Sequence, residues 1–306
     1  MISVFQAEMS HFAFSESERA PNKPDPANRA MALLFCILRS RRSVADLERF
    51  GHHPYTAIRR VKIFSRVIQL VGIAYLAAWL IPTQATDIAN SLDQCKVAIA
   101  PLRDWLWLSI HHVAQLALTL LFMKIFAERT LSEWGFNLRE WRLSLRIFRW
   151  FSQLYLLMFS IAALAYLYLK SWQPPQLGFP LTAGTVSGFL GFAFLGAGTC
   201  EEPLFRGLVM GLLARSWPGA LSMGKFSFPV AGLWATLIFM IAHLHFTFAP
   251  FSIAADFGQQ IGALVLGLYY AAVFYRTGSL LAPVLSHGFS DGLAGGAVYL
   301  MVALMR

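Results

Sequence analysis

Charge is what this sequence has least of. Only 13% of its 306 residues are Asp, Glu, Lys or Arg, while 57% are hydrophobic; soluble domains carry about 25% charged residues. A soluble fold of this length cannot bury so much apolar surface, so a lipid bilayer is its expected solvent. Cysteine is nearly absent too. Cys36, Cys95 and Cys200 lie far apart without CxxC spacing, which argues for neither a disulfide framework nor a zinc knuckle. Acidic residues number 16 against 25 basic ones, for a formal net charge of +9. The basic side chains gather at the ends of apolar segments: Arg39, Arg41, Arg42, Arg59, Arg60, Lys62 and Arg66, then Arg139, Arg142, Arg146 and Arg149. That distribution fits cytoplasmic loops and anionic headgroups, not nucleic acid. The sequence reads as having no internal repeat and no cleavable signal peptide at residues 1–30. The polar first 30 residues read as disordered, and the short apolar stretch 31–38, followed by arginines, reads as an interfacial helix.

What the sequence does have is apolar segments of spanning length, for which about 20 residues are needed. Candidates are 64–82, 105–127, 150–170, 181–200, 202–215, 230–247, 256–275 and 280–303. They predict an all-α, polytopic transmembrane bundle of seven or eight helices around a polar intramembrane cavity. Residues 1–62 form a cytoplasmic N-terminal segment, 63–180 generic spans, and 181–306 the region that carries chemistry. The Pro-rich 171–180 is a turn between helices. Arginine-rich loops at 39–66 and 128–149 place the N-terminus inside. Arg215, Lys225 and Arg276 share that side only if 181–215 makes one net crossing. Glycines at four-residue spacing (Gly184/Gly188, Gly207/Gly211, Gly258/Gly262, Gly288/Gly292/Gly296) are expected to let helices approach closely.

An ionisable residue inside a span costs about 2.5–3.5 kcal/mol on insertion scales, so each is a candidate for function. Three clusters qualify. In Cys200-Glu201-Glu202-Pro203-Leu204-Phe205-Arg206-Gly207, Pro203 suits a first helical turn. Glu202 and Arg206, four apart, can pair on one face, while Glu201 is rotated away and free to act as a base. His243 lies about 13 residues, or roughly 20 Å, into an apolar helix; His245, two further on, is read as interfacial. His287 and Asp291 are neighbours on one helical face. The pairs His52-His53 and His111-His112 are read as histidines of a loop and an interface. At 1.5 Å per residue the three clusters reach comparable depth, and so form one site.

These motifs carry a likeness. CEEPLFRGLVMGLL resembles the EExxFRG motif of the CAAX-prenyl-protease and bacteriocin-processing (CPBP, Abi-type) family of intramembrane glutamic endopeptidases. FMIAH is similar to its FxxxH motif and HGFSD to its HxxxN/D motif, and the YRTGSL turn also fits. The likeness spans about residues 181–303. It implies that Glu201 and His243 activate water for attack on a peptide carbonyl, that His287 and Asp291 face the oxyanion, and that Glu202 with Arg206 organises the site. It implies a membrane-associated protein or peptide substrate; the family's prototype reaction removes a C-terminal tripeptide from a prenylated protein. Asp291 departs from the asparagine expected of an oxyanion donor, because a carboxyl group donates only when protonated. It is either neutral or it orients His287.

Other readings remain open at this level. A zinc protease could use Glu, His and His as ligands, but HExxH is absent and no cofactor is expected. A proton-coupled transporter would also hold intramembrane Glu and His groups, and an immunity or binding scaffold could keep the fold without catalysis. The expected location is the plasma (inner) membrane, as a multi-pass protein with the lipid bilayer as its partner and no nucleic acid.

Overall fold

The computed structural model describes residues 55–94, 103–126, 129–169, 177, 181–224, 226–248 and 251–305. The interfacial stretch 31–38, His52-His53 and nearly all of the 171–180 turn lie outside the described residues. Seven long helices make up the described chain. α1 runs continuously over 55–94 and α2 over Arg103–Ile125; α3 is Trp141–Leu169 and α4 Ala183–Ser216; α5 is Val230–Ala242, α6 Phe257–Thr277 and α7 Leu281–Leu304. Five segments within α1, α2, α3, α4 and α6 are long and apolar enough to cross a membrane. Two short antiparallel hairpins complete the fold, β1 (Ala220–Met223) with β2 (Phe226–Pro229), and β3 (His245–Phe248) with β4 (Phe251–Ala254).

The helical bundle is the expected one, and several boundaries differ for physical reasons. The expected loop after residue 82 continues α1 for three more turns. Ile81, Ala85 and Ala89, four apart, are wholly buried, so an apolar stripe docks this otherwise polar stretch on α2. α3 starts at Trp141, so Arg142, Arg146 and Arg149 stand on its first turns instead of in a loop. Its central window has no buried residue; hydrophobic on all sides, it has the character of a lipid-facing helix. The two segments 181–200 and 202–215 are one helix, which settles the count at seven among the described residues. The span expected over 230–247 stops at Ala242. His243 follows as its C-cap residue, and His245 opens β3 instead of ending a helix.

With α4 continuous, the basic residues sort themselves. Arg66 lies over the Trp217 ring at 5.6 Å, and Ser216 bonds Gln69, so the start of α1 meets the end of α4. Arg129 covers Trp134, which packs under Gly211. Asn137 Nδ2 donates to the Gly278 carbonyl (2.8 Å) and Leu280 N to that of Gly135 (2.9 Å), tying the α2–α3 loop to the α6–α7 turn. Arg66, Arg129, Arg139, Arg215 and Arg276 therefore gather at one end of the bundle.

α7 is the buried helix. Ala282, Ser286, His287, Gly288, Ser290, Gly292 and Ala294 are all enclosed. It crosses α4 through glycine: a Cβ on Gly288 would collide with the Phe194 carbonyl oxygen, and one on Gly198 would come within 2.6 Å of the Val284 carbonyl. These contacts are backbone to backbone, so no rotamer change relieves them. Gly288→Ala is expected to cost about 1–3 kcal/mol, the scale of overpacking a tight core. Gly296→Ala, whose Cβ would meet only the end of Leu190 at 3.4 Å, should be neutral. Thermal denaturation in detergent micelles checks both; equal midpoints for the two variants would contradict the crossing described here.

Candidate active site

Glu201 and Glu202 sit near the middle of α4, and the helix is wound differently on either side of them. Phe192–Ala197 and Pro203–Val209 are π-helical, separated by the α-helical Gly198–Glu202. Pro203 was expected to open a helix; it stands in the interior of one. A proline there has no N–H for the usual i→i−4 bond and crowds the preceding turn, and the wider π turn accommodates it. Such insertions are frequent at functional sites. Here the widened turns bracket the two carboxylates.

The innermost part of the site is an ion pair. Glu202 is fully buried and Arg206 is 1% exposed. Arg206 Nη1 donates to Glu202 Oε1 at 3.2 Å and Nη2 to the Gly267 carbonyl at 3.2 Å. The guanidinium lies over the rings of Phe239 (4.7 Å) and Tyr270 (5.2 Å). α4, α5 and α6 are thus joined through one side chain. The expected pairing of Glu202 with Arg206 is present, in a more enclosed setting than a loop end.

His287 joins the pair from α7. Its Nδ1 is 2.7 Å from Glu202 Oε1, and its ring stacks on Tyr270 at 5.2 Å with 13° between planes. Because Glu202 is already neutralised by Arg206, it accepts, and Nδ1 carries the proton. The other nitrogen, Nε2, faces Asp291 Oδ2 at 3.3 Å and Glu201 Oε2 at 3.9 Å. Asp291 is therefore beside His287, as expected from their spacing, and Ser290 Oγ lies 3.5 Å from its other oxygen.

Glu201 is rotated away from the ion pair, as expected, and its two oxygens differ. Oε1 is 3.2 Å from His112 Nε2. Oε2 is buried and makes no hydrogen bond among the described residues. His243 lies close enough to interact with Glu201 electrostatically, but no hydrogen bond joins them. His243 Nδ1 is held by the Phe239 carbonyl at 2.7 Å, and the Phe239 ring contacts both His243 (4.5 Å) and His287 (6.2 Å). Gln260 Nε2 donates to the His243 carbonyl, fixing the end of α5 against α6. All six expected residues, Glu201, Glu202, Arg206, His243, His287 and Asp291, are thus brought into one cluster.

One further residue was missed. His112, read as interfacial, is 6% exposed and contacts Glu201 from α2. Its neighbour His111 turns towards α1, with Nδ1 3.2 Å from Thr86 Oγ1. A signal was available: Leu108, His112, Gln115, Thr119 and Met123 recur at helical spacing and are all buried. A polar stripe inside an apolar span faces a partner, not lipid.

Residues 182–293 match the family model described as Type II CAAX prenyl endopeptidase Rce1-like. The resemblance drawn from the three motifs therefore holds over this segment, which contains all six expected site residues but not His112. No curated protein and no solved structure matches the chain.

Proposed function

We propose, from a chain whose residues 182–293 match the model of a CAAX-type membrane endopeptidase family, that it is an intramembrane glutamic endopeptidase. It hydrolyses a peptide bond of a membrane-associated protein of the prenylated CAAX type, with Glu201 as the base. The observation that carries this reading is Glu201 Oε2, a buried carboxylate oxygen without a hydrogen bond and 3.9 Å from His287 Nε2. Two atoms that far apart can both bond one water at about 2.8 Å. Glu201 takes a proton from that water as its oxygen bonds to the scissile carbonyl carbon. The resulting oxyanion accepts a hydrogen bond from His287 Nε2–H. When the C–N bond breaks, the proton on Glu201 passes to the leaving amine nitrogen, and the carboxylate is restored. His243, with Nδ1 fixed by Phe239, presents Nε2 as a second contact for the substrate. Glu202 and Arg206 hold His287 and do not exchange protons with substrate.

In this scheme no metal takes part, and the arginine-rich end of the bundle faces the cytoplasm of a plasma (inner) membrane. The test is cleavage of an internally quenched, farnesylated CAAX-type peptide by protein reconstituted in liposomes. Cleavage unaffected by a chelator is expected. Loss on chelation with recovery on adding zinc would replace the scheme by a metallohydrolase.

Asp291 acts here as the partner that keeps Nε2 of His287 protonated. Asp291→Asn removes the charge but not the shape. It is expected to lower kcat about tenfold, less than the 10²–10⁴-fold contribution of a general acid–base group, because His287 itself remains. Activity should also fall at lower pH on the alkaline side than in the parent. Full activity with an unchanged alkaline limb would instead favour a donor role for residue 291.

A further inference from the structure

His112 lies outside the segment that matches the family, yet it makes the one side-chain hydrogen bond that Glu201 has among the described residues. Its surroundings fix one of its two nitrogens by exclusion. Nδ1 is 2.8 Å from the Leu108 carbonyl oxygen, four residues back on α2. A carbonyl oxygen only accepts, so Nδ1 must carry a hydrogen. Nε2 then meets Glu201 Oε1 at 3.2 Å, and a hydrogen bond there requires one proton between them. The proton sits either on Nε2, donating to a carboxylate, or on Oε1, donating to a neutral imidazole. The ring cannot turn away, because Phe192 of α4 packs edge-on against it at 4.8 Å.

We propose that His112 is a positioning residue for Glu201: it shares one proton with Oε1, and so leaves Oε2 as the basic atom of the site. The sharing moves a proton between two atoms already in contact and needs no other reactant. With the proton on Nε2, the imidazolium holds Glu201 as a carboxylate and aims Oε2 towards His287 and away from α2. Without His112, either oxygen could take the proton, and the carboxyl group could rotate. The other titratable groups that interact with the pair are His111 on α2, Cys200 on α4, His243 after α5 and His287 on α7, with Asp291 behind His287 Nε2 and Glu202 and Arg206 on the turned-away side of α4. His111 touches the His112 ring edge-on at 5.1 Å.

The effect on rate rests on the hydrolytic reading above; the sharing of the proton does not. Two measurements on the full-length protein in nanodiscs separate them. In infrared titrations, the carboxylic acid band of Glu201 is isolated by subtracting the Glu201→Gln spectrum. In the parent, this band is expected only at acidic pH. In His112→Phe it should persist about one pH unit higher or more, a tenfold change in proton affinity. His112→Gln, whose amide can donate to Oε1 without a charge, should fall between the two. In the peptide assay, the acidic limb of the rate profile should move in the same order, with KM little changed. A Glu201 band that titrates identically in all three proteins overturns the proposal, whatever the cleavage rates. Undiminished cleavage by Glu201→Gln would instead overturn the hydrolytic reading and leave the infrared result standing. Should His112→Phe fail to fold, the His112→Gln comparison decides alone.

Discussion

Glu201→Gln should reduce cleavage of the peptide by about 10²–10⁴-fold, the usual contribution of a general acid–base group. The substitution is nearly isosteric. Its amide oxygen can still accept from His112, so α2 and α4 should remain packed as they are. What disappears is the basic lone pair at Oε2, the buried oxygen that has no hydrogen bond among the described residues. Binding should survive, because nothing else in the site changes size, and the loss should therefore appear in kcat. Single-turnover cleavage, alongside a thermal midpoint to certify folding, measures this directly. A folded Glu201→Gln protein within tenfold of the parent rate would remove Glu201 from the chemistry.

Arg206→Met should damage the fold more than any other substitution in the site. It leaves Glu202 fully buried with only His287 to balance its charge, and removes the cation from between Phe239 and Tyr270. Breaking one partner of a buried pair costs about 3–5 kcal/mol, because the survivor remains desolvated. Much of the protein is expected to aggregate on extraction or to melt far below the parent. Arg206→Lys should recover only part, since an ammonium cannot bond Glu202 and the Gly267 carbonyl in the same fork geometry. Pairing Arg206→Met with Glu202→Gln should restore the folded state but not full activity, because it removes the stranded charge and leaves His287 facing a neutral amide instead of the carboxylate that orients it. If Arg206→Met alone melts with the parent, the ion pair is not what holds α4, α5 and α6 together.

The six motif residues were legible because an apolar span makes each polar side chain conspicuous. Glu202 and Arg206, or His287 and Asp291, also announce their pairing by a spacing of four. His112 was not recovered, because beside His111 and near a helix start it reads as a histidine of the membrane interface, and the polar stripe through Gln115 and Thr119 went unused. The continuity of α4 was hidden by Pro203, which ordinarily reads as a boundary; only the π register, invisible in residue types, lets a helix continue through it. Excess arginine had already demanded that single crossing. The early end of α5 was hidden as well, since HLHF after Ala242 remains apolar enough to continue a helix, and a hairpin is decided by pairing with Phe251–Ala254.

The shortness of α5 bears on where the second reactant comes from. Its 13 residues reach about 20 Å, whereas the hydrocarbon core of a bilayer is about 30 Å thick. Beyond His243 the chain turns into a two-stranded hairpin. The outer edges of a strand pair carry backbone groups that lipid cannot satisfy, so such a hairpin belongs in a hydrated setting. If that end of α5 lies at the recessed side, the bilayer would thin, or solvent would dip inward, to within a few residues of the candidate site. The hydrolysis proposed above needs a supply of water as much as it needs a peptide, and a helix that ends at Ala242 would give the aqueous phase a way down to His243.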